Sequence, residues 1–164
     1  MDAESEREFR EFVAARSAAL FRSAYLLTGQ REAAEDLLQT VLARVARRWG
    51  RIEGHPDAYV RRALYHEQVG RWRRRGRELP GVPERAAPGD HAATTDLRVS
   101  LAAALRRLTA RQRAVIVLRY VEDLSETDVA AVLDVSVGTV RSTAHRALAR
   151  LRADCPELLL EVPR

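Results

Sequence analysis

The sequence predicts an all-α fold: two small helical domains joined by a flexible linker, the second of them carrying a helix-turn-helix. Three observations lead there. Apolar residues recur at spacings of three and four from Phe9 to Trp72 and again from Leu97 to Leu151, the period of helices with one buried face. From Arg77 to Thr95 that period stops, and three prolines and two glycines appear instead, which is the composition of a linker. Ser125 to Arg152 then reads as two helices broken by a tight turn.

In chain order, Phe9, Phe12, Val13, Leu20, Ala24 and Leu27 give a first helix from Glu4 to Leu27 its core face, and Thr28-Gly29 ends it. A second helix from about Glu32 to Trp49 buries Ala34, Leu37, Leu38, Val41, Leu42, Val45 and Trp49. It leaves Glu35, Asp36, Gln39 and Thr40 together on one polar face. Residues 50–56, GRIEGHP, form a short loop with two glycines and a proline. Pro56 suits the first turn of a third helix and Gly76 its end. Between them Tyr59, Val60, Ala63, Leu64, Val69 and Trp72 alternate with Arg61, Arg62, Arg71, Arg73, Arg74 and Arg75. Exposed rings among arginines can stack bases while the guanidinium groups follow phosphates. Tyr65 and His66 offer planar rings near the middle of this helix, and Trp72 is expected in the core.

Some 20 flexible linker residues have a root-mean-square span of roughly 25 Å, and the second domain follows. Leu97, Leu101, Ala104, Leu105 and Leu108 share one helical face. Thr109 and Gln112 form a capping box for the next helix, whose core face is Val115, Leu118 and Val121. Ser125 caps a further helix and Asp134, tolerant of a left-handed backbone, makes the turn. Ser136 caps the last helix, with Val140, Ala144, Leu148 and Leu151 as its apolar positions. Four short helices fit this half. The remainder, 154–164, is a short tail in which Leu158 to Leu160 pack back on the core or fray.

Charge separates the two helices of the final pair. Residues 122–134 hold five acids and no base, whereas 137–152 hold Arg141, His145, Arg146, Arg150 and Arg152 and no acid. The first turn of the basic helix carries Val137, Gly138, Thr139 and Ser142, small or hydroxylic residues able to approach base edges. Major-groove docking requires such a helix, its N-terminal side chains reading bases and its arginines holding phosphates.

The 164 residues are 46% apolar with a net charge of +5, enough for one or two small cores and favourable to a polyanionic partner. All 28 basic residues are arginine, so a P-loop lysine and Schiff-base chemistry are excluded. Four scattered histidines and the lone Cys155 offer no zinc spacing, no catalytic constellation is visible, and neither a cofactor nor a metal is expected. The longest apolar run, Ala114 to Leu118, is far short of a membrane span. The acidic residues of Met1 to Glu8 do not suit a signal peptide, so a cytoplasmic location is expected.

On these residues the chain carries a family resemblance. LRRLTARQRAVIVLRYVEDLSETDVAAVLDVSVGTVRSTAHRALARLR is similar to the promoter-binding fourth region of extracytoplasmic-function sigma factors, and AEDLLQTVLARVARRW with DAYVRRALYHEQVGRWRRR to their second region. The resemblance spans nearly the whole chain and is strongest to the short actinobacterial SigE-like group. It implies sigma region 2 over 1–76, a linker over 77–95 and sigma region 4 over 96–153. It implies a non-enzymatic factor that joins core RNA polymerase, directs it to promoter DNA and helps to open it, with an anti-sigma factor as a further candidate partner. Glu35, Asp36, Gln39 and Thr40 would contact the polymerase clamp. Arg61, Arg62, Tyr65, His66, Arg71 and Arg74, with the GRIEGHP loop, would handle the minus-ten element. Ser136, Val137, Gly138, Thr139, Arg141, Ser142, His145 and Arg146 would lie at the minus-thirty-five element. Thr40 stands where the family commonly has Glu, Asp134 replaces a usual turn glycine, and His66 and Gly70 stand where Asn and Asp are frequent, so a minus-ten base preference does not carry over. Two other readings fit parts of the chain. A stand-alone helix-turn-helix regulator would bind paired half-sites as a dimer, and a degenerate paralogue would sequester protein partners without binding promoters.

Overall fold

Asp2 begins the first helix by accepting a hydrogen bond from the Ser5 amide (2.8 Å), which satisfies one of the free N–H groups at a helix start. The computed structural model describes residues 2–78 and 97–154, with side chains placed for 2–75 and 101–154. Most of the expected linker and the whole of 155–164 lie outside the described residues. The chain divides into two compact units, Met1–Arg75 and Gly76–Arg164.

In the first unit, α1 (Ala3–Thr28) ends at Gly29, whose φ of 75° is left-handed and whose amide donates to the Tyr25 carbonyl (2.7 Å). That conformation costs glycine no steric penalty. Helix α2 (Arg31–Ala46) stops three residues before the expected Trp49. A short 3₁₀ turn, Trp49–Arg51, follows and sets the Trp49 ring against Phe9 and Phe12, with centroids 5.1 and 5.0 Å apart. Such aromatic pairs add roughly 0.5–1.5 kcal/mol each beyond area burial. Trp49 stays on the buried side that Val41 and Val45 define, although it lies beyond the end of α2. Gly54, at φ 83°, reverses the chain into α3 (Pro56–Glu78), which runs past Gly76. Leu20, Ala24, Leu37, Val41, Val60 and Leu64 are fully buried among the three helices.

In the second unit, α4 (Leu97–Arg106) leads to α5 (Ala110–Ile116), opened by the capping box in which Thr109 and Gln112 exchange two 3.2 Å hydrogen bonds. Residues Val117–Val121 then form a π-helical turn, closed by the Glu122 amide on the Val117 carbonyl (3.0 Å). The extra residue rotates the chain, so Val121, expected in the core, is 43% exposed beside an exposed Tyr120. Helices α6 (Glu126–Leu133) and α7 (Val137–Asp154) complete the unit. Helix α7 buries Val140, Thr143 and Ala147, a line one residue away from the expected Ala144, Leu148 and Leu151, which are half-buried. Among the described residues there is no strand and no helix long and apolar enough to cross a membrane.

Candidate nucleic-acid and polymerase interfaces

The second unit builds its outward-facing helix through local hydrogen bonds. Ser125 Oγ accepts from the Asp128 amide (3.0 Å) and donates to the Asp128 carboxylate (2.6 Å), fixing the start of α6. Asp134 closes it with a left-handed backbone (φ 52°, ψ 55°), and the Val135 amide reaches back to the Ala130 carbonyl (3.0 Å). Two residues later Ser136 Oγ accepts from the Thr139 amide (3.1 Å) and pairs with the Thr139 hydroxyl (2.9 Å). The turn and both caps therefore set the entry of α7.

With Val140, Thr143 and Ala147 held in the core, the opposite face of α7 is open. Ser136, Gly138, Arg141, Ser142, His145 and Arg146 are exposed, and Val137 and Thr139 are half-buried. A Cβ at Gly138 would meet nothing nearer than Ser136 Oγ at 3.8 Å, so packing does not demand glycine here. Its consequence is a bare stretch of backbone at the helix start. Arg146 Nε donates to the Ser142 carbonyl (3.3 Å) and Arg141 Nε to the Glu126 carboxylate (2.7 Å). All eight residues expected at the minus-thirty-five element are thus gathered at one end of one helix.

The first unit is more constrained. Glu35, Asp36 and Gln39 are exposed on α2 and Thr40 is half-buried. Arg71 of α3 crosses to this face, where Nη1 donates to Asp36 (2.6 Å) and Nη2 to the Thr40 hydroxyl (2.8 Å), while Nε donates to Glu67 (3.2 Å). Glu67 also receives Arg44 (2.8 Å) and Arg74 (3.3 Å). Burial alone would raise the Glu67 pKa, but hydrogen bonds from Arg44 and Arg71 outweigh it and hold the carboxyl below its usual range. Glu67 and Arg44 were not singled out from the sequence. The spacing of four between Glu67 and Arg71 was the available signal, though it names no partner on α2.

Tyr65 requires a correction. It is 3% exposed, because it falls on the α3 face that also buries Leu64 and Gln68, and a ring so enclosed has no face to offer a base. Tyr59, 40% exposed, is the aromatic that α3 presents at its surface. Trp72 is half-buried. Arg61 donates to Asp57 (2.8 Å), which also accepts from Arg16 of α1 (2.8 Å). Arg62, His66 and Arg74 are exposed. Partial burial, then the charges of Arg62 and Arg73, lower the His66 pKa, so its imidazole is neutral at neutral pH. Among the described residues no group of three or more His, Cys, Asp or Glu could hold a metal.

Residues 98–151 match the family described as Sigma-70, region 4. The RNA polymerase sigma-E factor of Streptomyces coelicolor is 44% identical over 155 residues, spanning 90% of this chain and 85% of that protein. The ECF RNA polymerase sigma factor SigL of Mycobacterium tuberculosis is 33% identical over 157 residues, 87% of this chain and 85% of the relative. Among solved structures, the sigma factor RpoE in complex with the anti-sigma factor NepR from Bartonella quintana superposes with a TM-score of 0.63 at 29% identity, covering 96% of this chain and 99% of that one. Relatives of this identity along nearly the whole length, together with a capped helix-turn-helix inside the matched region, place the chain in the extracytoplasmic-function RNA polymerase sigma factors.

Proposed function

We propose that this sigma factor divides its work between its two units. Its activity is that of the family: it binds core RNA polymerase and directs promoter-specific initiation of transcription. In our reading residues 1–76 are region 2, 77–95 the linker and 96–153 region 4. Region 4 places Ser136 to Arg146 in the major groove of the minus-thirty-five element. In region 2, Glu35, Asp36, Gln39 and Thr40 meet the polymerase clamp. The 50–56 loop, with Arg61, Arg62, His66 and Arg74, follows the opened minus-ten strand. Tyr59 replaces Tyr65 as the ring available for stacking. Arg71 belongs to the scaffold that shapes both faces.

The single observation that carries this reading is the outward face of α7, where small, hydroxylic and basic residues open at a capped helix start. Similarity to sigma factors over 90% of the chain, the first unit included, favours this reading over a stand-alone regulator. Holding bases out of the stack costs a few kcal/mol each, and a factor that hydrolyses no nucleotide offsets this by binding the opened strand better. The protein carries no catalytic step and works in the cytoplasm. An anti-sigma factor is a further partner, as the Bartonella relative is seen with one.

Co-purification of the full chain with core RNA polymerase, followed by run-off transcription from a promoter library, tests the reading. Promoter-dependent transcripts that require the added chain are the expected result. Sequence-specific binding as a dimer, with no retention of polymerase, would assign the chain to the stand-alone regulators instead.

A further inference from the structure

We propose that Glu126 is a specificity-determining positioning residue, which grips Arg141 by its Nε and so presents both Nη groups to a guanine of the upstream promoter element. The inference rests on the docking of α7 given above and concerns a residue outside the reading helix. Glu126 is the first residue of α6, and its Oε2 lies 2.7 Å from Arg141 Nε in the second turn of α7. Among the described residues this is the one hydrogen bond of the Arg141 guanidinium, and Nη1 and Nη2 have no protein partner.

The planar guanidinium carries its two terminal amino groups side by side, the arrangement that reaches guanine O6 and N7 together, and a bond at Nε fixes the direction in which they point. The Arg141 side chain is 68% exposed and that of Glu126 33%. A pair this open contributes little to fold stability, so its effect falls on where the arginine points. In the docking given above the first helix of the pair crosses the DNA backbone, so the same carboxylate would face phosphates and repel them. Glu126 therefore lowers affinity for DNA in general while sharpening preference at one base pair, two effects of opposite sign that a merely structural acid would not produce. A glutamine in its place keeps an acceptor for Nε and loses the charge.

The experiment uses the full chain assembled with core RNA polymerase and a duplex promoter library randomised across the upstream element. Glu126→Ala is expected to reduce the preference for guanine at one position by about five- to tenfold, a part of what a bidentate contact supplies, while binding to promoters without that guanine is unchanged or tighter. Glu126→Gln is expected to keep most of the preference. Arg141→Ala, measured alongside, is expected to abolish it at the same position. If Arg141→Ala removes the preference and Glu126→Ala leaves it intact, or tightens all sequences alike, the positioning role is overturned. If Arg141→Ala itself leaves base preference intact, the docking of α7 is what fails, and the role of Glu126 with it.

Discussion

Replacing Arg71 by alanine separates a scaffold from a DNA contact. Three hydrogen bonds are lost at once, to Asp36, Thr40 and Glu67. The Asp36 side chain is 69% exposed, so water replaces its partner and the loss is under about 1 kcal/mol. The bond to Thr40 contributes about 1 kcal/mol. The Glu67 side chain is only 10% exposed, and stripping a buried carboxylate of its sole cation would cost roughly 3–5 kcal/mol. Here Arg44 and Arg74 remain on it, so that cost is largely avoided. The sum is about 2 kcal/mol, or about 30-fold in the opening equilibrium of the first unit. Hydrogen exchange on the full chain reads this directly. The most protected amides of α1 to α3 are expected to exchange about 30-fold faster, with those of α5 to α7 as an unchanged internal control. Arg71→Lys should fall between, since an ammonium does not span three acceptors in the guanidinium's fixed fork. Exchange within twofold of the parent would refute the scaffold assignment and return Arg71 to the residues that follow phosphates.

Three further outcomes are expected. Ser136→Ala removes the cap of α7 and should lower stability of the second unit by about 1 kcal/mol, read as an earlier urea midpoint of its circular dichroism signal, with weaker use of the upstream promoter element. Asp36→Ala with Gln39→Ala should weaken retention on core polymerase in a pull-down while leaving helix content unchanged, and parental retention would remove that face as the clamp contact. A hydrogen bond from Arg16, opposed by burial and supported by Arg61, holds the Asp57 pKa below its ordinary value. The unfolded chain therefore takes up a proton first as pH falls. The stability this gives is complete above the unfolded carboxylate value near 3.9 and drains as pH falls through the folded one. Asp57→Asn should flatten that acid limb in urea titrations between about pH 5 and 2, and an unchanged pH profile would show that the Arg16 contact does not persist in solution.

What the sequence made legible was local. Ser125 with Asp128, Thr109 with Gln112, Asp134 and Ser136 all declare themselves within four residues, because caps and tight turns satisfy backbone groups of their own segment. The exposed basic and hydroxylic face of α7 followed from those signals and from the separation of charge along the chain. Burial on α3 was not legible. Tyr65 and His66 are neighbours with equal claims to stacking, and which of them turns inward depends on how three helices meet. Arg71 reads as one of a run of arginines because its partners Asp36 and Thr40 lie 35 and 31 residues away. Val121 matched the helical period and was lost to a change of hydrogen-bond ring that no propensity encodes, whereas Trp49 is buried as its period implies but in a 3₁₀ turn beyond the end of α2.

The π-helical turn at Val117–Val121 also bears on how such a chain can change length. Closing a ring on the fifth residue rather than the fourth stores one residue within a helix, with the surplus displayed on the exposed side at Tyr120 and Val121. The same turn carries Val117 and Leu118, which are fully buried, so it is anchored in the core on one side and open on the other. Downstream, α6 and α7 each start from a cap of their own, at Ser125 and Ser136. A single-residue deletion is therefore expected to be tolerated best on the open side, at Tyr120 or Val121, upstream of α7 and without changing the order of that helix's side chains.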